Sequence, residues 1–201
     1  IGYHGSYTHL SKFSPHLKLA LEELSNIVDL QLKIITNPNA PKWKYGRPKI
    51  QNLEIVDWNF DTFSDELLAC DIGIVPNMTN IKPMLKKTSR KLGLYSTDYF
   101  FRLKNKSNAG RMFVFIQHGI PVVADFTPSN MHILANPDNG YAVFSKNGWL
   151  NAFVDLLDHD HRNNISNNAL RAFKNMYNPS GWTSNLVRNI QRIPKYAKDN
   201  M

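Results

Sequence analysis

Six short apolar stretches recur along the chain, at residues 1–3 (IGY), 30–36 (LQLKIIT), 53–58 (LEIVDW), 72–75 (IGIV), 121–124 (PVVA) and 141–144 (YAVF). β-Branched and aromatic residues dominate them, and several are apolar at every position, as expected of strands covered on both faces. Between most of them the apolar spacing switches to the helical period. Ser14 followed by Pro15 reads as an N-cap with proline at the first helical position, and Leu17, Ala20, Leu21 and Leu24 then form one stripe. Thr62 and Asp65 have capping-box spacing ahead of Leu67 and Leu68. Trp149, Ala152, Phe153 and Leu156 form a second stripe, and Ile165, Ala169, Ala172, Phe173 and Met176 a third. Trp182, Leu186, Ile190 and Ile193 mark a last helix.

Strands alternating with helices predict an α/β fold: a Rossmann-like, doubly wound, mostly parallel sheet of about six strands with helices on both faces. Two stretches break the alternation. Residues 37–52 (NPNAPKWKYGRPKIQN) hold too much proline for a helix and read as a loop. Residues 77–105 contain MLKKTSRKLG and most of RLKNK without a strong apolar period and read as a basic insertion. Neither stretch divides the chain, so residues 1–201 are expected to form a single domain, with 179–201 as its C-terminal helix and tail.

Composition narrows the setting. A hydrophobic fraction of 42% with eleven phenylalanines is enough for a sizeable core. No apolar run reaches the length of a membrane span. The chain opens on Ile1, directly in a strand, which reads as a piece of a longer protein. Cys70 is the single cysteine, so no internal disulfide can form, and a reducing, cytoplasmic setting is the expectation. The formal charge of +8 favours anionic partners such as nucleotides, nucleic acid or an acidic lipid surface.

The chemistry concentrates around KSNAGRMFVFIQHG, residues 106–119. Ala109, Met112, Phe113 and Ile116 fall on one helical face, and Ser107 or Asn108 is a natural N-cap. Lys106 and Arg111 sit at the positive end of that helix, where each costs about 0.3–1 kcal/mol unless an anion is bound. A bound phosphate would reverse the sign, because N–H groups, Lys106 and Arg111 would all point at it. With the site empty, both side chains either strain the helix end or bend into solvent, so losing Arg111 should cost the free domain nothing.

A second candidate is the turn after the first strand. There Gly5 permits close approach to the backbone, and Ser6, His9 and Lys12 are polar neighbours. It is neither GxGxxG nor a P-loop. Asp57 and Trp58, ending the third strand, are candidates to contact a ribose or base, with a core-edge tryptophan as the alternative. His159-Asp160-His161 reads as a solvated turn between helices, and no metal is expected. His118 reads as a C-terminal cap, and Cys70 as inert packing. No GxSxG elbow occurs. Lys86, Lys87, Arg90 and Lys91, followed by Tyr95, Tyr99, Phe100 and Phe101, leave two readings open: a grip on nucleic acid, or docking on acidic lipid near a lipid-linked acceptor. The lack of a nucleic-acid fold signature speaks against the first.

Five segments in order resemble the C-terminal, nucleotide-sugar-binding half of a GT-B glycosyltransferase, over nearly the whole chain. They are IGYHGS, FSDELLACDIGIVP, KSNAGRMFVFIQHGIPVVAD, NGYAVFSKNGWLNAFVDLLDHDHRNNISNNALRAF and YNPSGWTSNLVRNI. Many retaining members carry two glutamates eight positions apart; aligned on Gly119, those positions are Lys106 and Val114 here. The segment instead resembles a variant found in some surface-polysaccharide transferases, where Lys-Ser-Asn and a following Arg replace the glutamates.

The resemblance implies one half of a GT-B fold that takes a nucleoside-diphosphate sugar as substrate, needs no cofactor, and transfers the sugar to an acceptor in polysaccharide or glycolipid synthesis. It implies donor and diphosphate contacts at Gly5, Ser6, Lys106, Ser107, Asn108 and Arg111. The acceptor site would lie on an N-terminal domain absent from this chain, so the isolated fragment should not transfer sugar. The expected location is cytoplasmic, peripheral at the inner membrane face. A non-catalytic nucleotide- or nucleic-acid-binding module and a sugar-nucleotide epimerase of the same fold are the alternatives.

Overall fold

The structure, a computed structural model, describes residues 1–37, 43–77 and 109–198. Its strands are β1 (Gly2–His4), β2 (Gln31–Thr36), β3 (Asn52–Asp57), β4 (Gly73–Val75), β5 (Val122–Asp125) and β6 (Tyr141–Val143). They form one parallel sheet in the order β3-β2-β1-β4-β5-β6. The helices are α1 (Pro15–Leu24), α2 (Phe63–Leu68), α3 (Gly110–Gln117), α4 (Met131–Leu134), α5 (Lys146–Asp155), α6 (His159–Met176) and α7 (Pro179–Lys198). Short 3-10 turns at Tyr7–Lys12 and Pro137–Asn139 complete the described elements.

Alternation along the strands sends side chains to two separate cores. Tyr3, Leu32, Ile34, Ile74 and Val123 face α1 and α5, where Trp149 and Phe153 are fully buried. Ile35, Val75, Val122 and Ala124 face the other way, against Leu67 of α2, Met112, Phe115 and Ile116 of α3, and Ala169 of α6. Burying each such large side chain stabilises the fold by about 1.5–3 kcal/mol, so the doubly apolar strands belong in the middle of the sheet. The edge strand β3 is correspondingly poorer, with only Leu53 and Val56 half-buried.

Local chemistry sets most helix ends. Ser14 Oγ accepts the Leu17 N–H at 3.1 Å, with Pro15 at the first helical position. Helix α3 closes on Gly119, whose φ of 71° lets its N–H reach Ile116 O while the Ile120 N–H reaches Phe115 O. His118 caps the same end, its Nδ1 donating to Val114 O at 2.8 Å. Three expectations are corrected. Thr62 occupies the N-cap position of α2, but its side chain makes no cap bond, because its backbone is already helical rather than extended. His159-Asp160-His161 is the first turn of α6, not a free turn, because Asp158 Oδ1 caps the His161 N–H at 2.7 Å and starts the helix earlier. Finally, α3 begins at Gly110 with Ala109 as its cap residue and no side-chain cap bond, later than Ser107 or Asn108.

Candidate functional site

The sheet order reverses direction between β1 and β4. At such a switch point two neighbouring loops leave in opposite directions and open a crevice at the carboxyl ends of the strands, where open α/β sheets bind ligands. The carboxyl ends of β1, β4 and β5 and the start of α3 meet there.

Arg111 occupies this corner. Its Nη2 donates to Pro76 O at 3.0 Å and, in a short bond, to Asn77 Oδ1. The Asn77 N–H in turn donates to Asp125 Oδ2 at 2.8 Å, which links the ends of β4 and β5 through one side chain. The guanidinium lies over the Tyr3 ring, 5.8 Å from its centroid. Burial pulls the Arg111 pKa down from the ordinary arginine value, while Tyr3 and Asp125 pull it up, and the group stays cationic. Its Nη1 is buried and has no acceptor among the described residues.

Gly5 makes room for this side chain. Its φ of 144° lies in a region that side-chain-bearing residues rarely adopt, and an added Cβ would stand 3.0 Å from Tyr3 Oη and 3.2 Å from Arg111 Cδ. The close approach that this glycine allows is therefore made by the protein's own Arg111 and Tyr3. The Tyr3 hydroxyl donates to Ser6 O at 3.3 Å, and burial raises its pKa to about 12, so it remains a donor. Ser6 itself is exposed, and its Oγ accepts from the Thr8 N–H to start the 3-10 turn.

His4, next in β1, is buried beneath the first turn of α3. Its Nε2 lies 3.0 Å from Arg111 O, and since a carbonyl only accepts, Nε2 carries a proton. Burial, with help from the Arg111 and His118 charges, lowers the His4 pKa to about 4. Behind Asp125 lies a layer of small polar groups. Asn130 Nδ2 donates to Asp125 O at 2.9 Å, and Thr127 Oγ1 lies 3.2 Å from Ser129 Oγ.

The structure thus gathers Gly5, Ser6 and Arg111 at one corner. Lys106, Ser107 and Asn108 lie outside the described residues, as does the basic run 84–91. Asp57 and Trp58 are exposed at the carboxyl end of the edge strand β3. Among the described residues, Trp58 is linked to the corner through rings, lying 6.2 Å from Phe63, which lies 5.5 Å from His4. The expectation for Arg111 is corrected: its side chain does not simply bend into solvent but is hydrogen-bonded to Pro76 O and Asn77 Oδ1 after β4.

Tyr3, His4, Asn77 and Asp125 are site residues that the sequence reading passes over. The signal for three of them was present, since His4, Asn77 and Asp125 are each the first polar group after an apolar run, whereas Tyr3 lies inside one.

A wide cleft of about 740 Å³ opens at the other edge of the sheet, beside Asp29, Leu30, Asn52, Asp71, Ile72 and Arg162. It faces the amino ends of the strands, and Arg162 there is already paired with Asp71 at 3.5 Å. Despite its size, it offers an anion no uncommitted cation among the described residues.

Fold and corner together define a Rossmann-like α/β domain with a cationic corner at its topological switch point. No protein-family model and no curated protein matches the sequence.

Proposed function

We propose that this chain is the donor-binding half of a GT-B glycosyltransferase, which holds the diphosphate of a nucleotide sugar at the Arg111 corner. The observation that carries this reading is the part-buried guanidinium at the β1/β4 switch point, whose buried Nη1 has no acceptor among the described residues. A ligand oxygen there would satisfy a buried N–H whose isolation costs about 1–3 kcal/mol. The start of α3 adds the positive end of an eight-residue helix. Asp125 offsets part of the charge, which suits a site that must release its product.

In sugar transfer, negative charge grows on the departing nucleoside diphosphate as the glycosidic bond breaks. A cation and helix N–H groups aimed at that oxygen stabilise the transition state more than the ground state. Arg111 would supply the first, and Lys106, Ser107 and Asn108 would join it if the resemblance carries over. Gly5 and Ser6 would form the facing wall, and Asp57 and Trp58 would lie toward the nucleoside. The acceptor, and any general base, would come from a second domain. The substrate class is a nucleoside-diphosphate sugar and the product a glycan or glycolipid.

A thermal-shift screen tests the reading. Nucleoside diphosphates should raise the melting temperature with increasing concentration, as any ligand selective for the folded state does, while nucleosides alone should not. No shift with any diphosphate, or equal shifts with nucleosides, would contradict it.

A further inference from the structure

A buried carboxylate closes the Arg111 corner. Asp125, at the carboxyl end of β5, is 6% exposed, and Asn77, just after β4, is 2% exposed. The Asn77 N–H donates to Asp125 Oδ2 at 2.8 Å, and the Asn77 side-chain oxygen accepts from Arg111 Nη2. Pro76 O accepts from the same Nη2 at 3.0 Å. Both of these acceptors lie on the segment that follows β4, and Asp125 holds that segment from β5. With Nη2 pinned, the planar guanidinium can turn little, so residues 76 and 77 set the direction of Nη1. Behind Asp125, the fully buried Asn130 donates to Asp125 O at 2.9 Å and holds the end of β5.

Tying two strand ends together does not need a charge. An asparagine oxygen at this position would accept the Asn77 N–H as well, without the cost of burying an anion. The charge acts instead on Arg111: burial lowers the guanidinium pKa, and Asp125, after Tyr3, opposes that. An anion bound at Nη1 would meet the same carboxylate as a like charge.

We propose that Asp125 is a positioning residue for Arg111, a role that rests on the diphosphate reading of the corner. Through Asn77 it aims the guanidinium at the diphosphate, and its charge holds the affinity below what the cation alone would give. The two properties of this one side chain are separable. Its oxygen places Arg111, and its negative charge weakens the grip. Removing only the charge must therefore tighten binding, and removing the placement must weaken it. A carboxylate that only braced the sheet would change stability in both cases and affinity in neither.

The test is calorimetric titration of the full 201-residue chain with uridine, guanosine and adenosine diphosphates at low and high salt. The parent is compared with Asp125→Asn, Asp125→Ala and Asn77→Ala. Asp125→Asn keeps an acceptor for the Asn77 N–H. It should tighten binding of whichever diphosphate the parent takes by about threefold to tenfold, with a smaller gain at high salt. Asp125→Ala drops the acceptor as well and should bind about tenfold more weakly than Asp125→Asn. Asn77→Ala keeps both the Asp125 charge and the backbone N–H that reaches it, and should bind about tenfold more weakly than the parent. Should Asp125→Ala fold poorly, Asn77→Ala tests the placement in its stead. Affinity that Asp125→Asn leaves unchanged or lowers, or that Asn77→Ala leaves unchanged, would overturn the positioning role and leave the diphosphate reading standing. A parent that binds none of the three diphosphates would overturn both.

Discussion

Arg111 is held by hydrogen bonds to Pro76 O and Asn77 Oδ1 beside its proposed ligand, and this fixes what its loss should do. Arg111→Ala removes the donor to Pro76 O and Asn77 Oδ1 and leaves a buried amide oxygen with one partner fewer. The free domain should therefore lose about 1–3 kcal/mol, measurable by urea unfolding, rather than gain stability as a bare charge at a helix end would suggest. His4 makes a second prediction at this scale. Its folded pKa of about 4 lies below the ordinary value of 6.5, so between these limits the unfolded chain binds the extra proton. The stability that comes from keeping His4 neutral is fully present above pH 6.5 and is lost as pH falls toward 4, up to about 3 kcal/mol. His4→Gln, which keeps a donor for Arg111 O, should flatten that part of the pH profile in thermal melts. A slope unchanged by the substitution would place the titrating group elsewhere.

The helix caps give paired predictions at the scale of elements. Ser14→Ala removes a buried cap bond and should cost about 1 kcal/mol, whereas Thr62→Ala should be nearly neutral because Thr62 makes no cap bond. Chemical denaturation of the two variants checks both. The same contrast explains what the sequence could and could not reveal. The six strands, the two-sided burial and the Ser14 cap were legible because each rests on neighbours along the chain. The capping-box spacing of Thr62 and Asp65 was present in the sequence but failed, since a cap also needs an extended backbone that no spacing encodes. The corner was half legible. Gly5 after a strand and Arg111 at a helix start carry local signals. The Arg111–Asn77–Asp125 chain does not, because it exists only once β4 lies beside β5 and α3 crosses over them, and sheet order is a long-range property.

At the scale of the whole molecule, the proposed ligand site lies at the carboxyl edge of the sheet, whereas the wide cleft lies at the amino edge. If this domain is one half of a two-domain enzyme, the purified chain should bind nucleoside diphosphate yet show no sugar transfer from nucleotide sugars in a radiolabel assay. Robust turnover by the chain alone would contradict the half-enzyme reading. The central claim, that the Arg111 corner recognises a diphosphate, is tested most directly by calorimetric titration of the parent and Arg111→Lys. Lysine keeps the charge but loses the planar fork and its second donor. Each protein is titrated with a nucleoside diphosphate and with the matching nucleoside. Arg111→Lys should weaken diphosphate binding by about 1.5–3 kcal/mol, roughly tenfold to a hundredfold, and leave the weak nucleoside binding unchanged. A folded Arg111→Lys that binds diphosphate as tightly as the parent would show that the guanidinium only braces the fold.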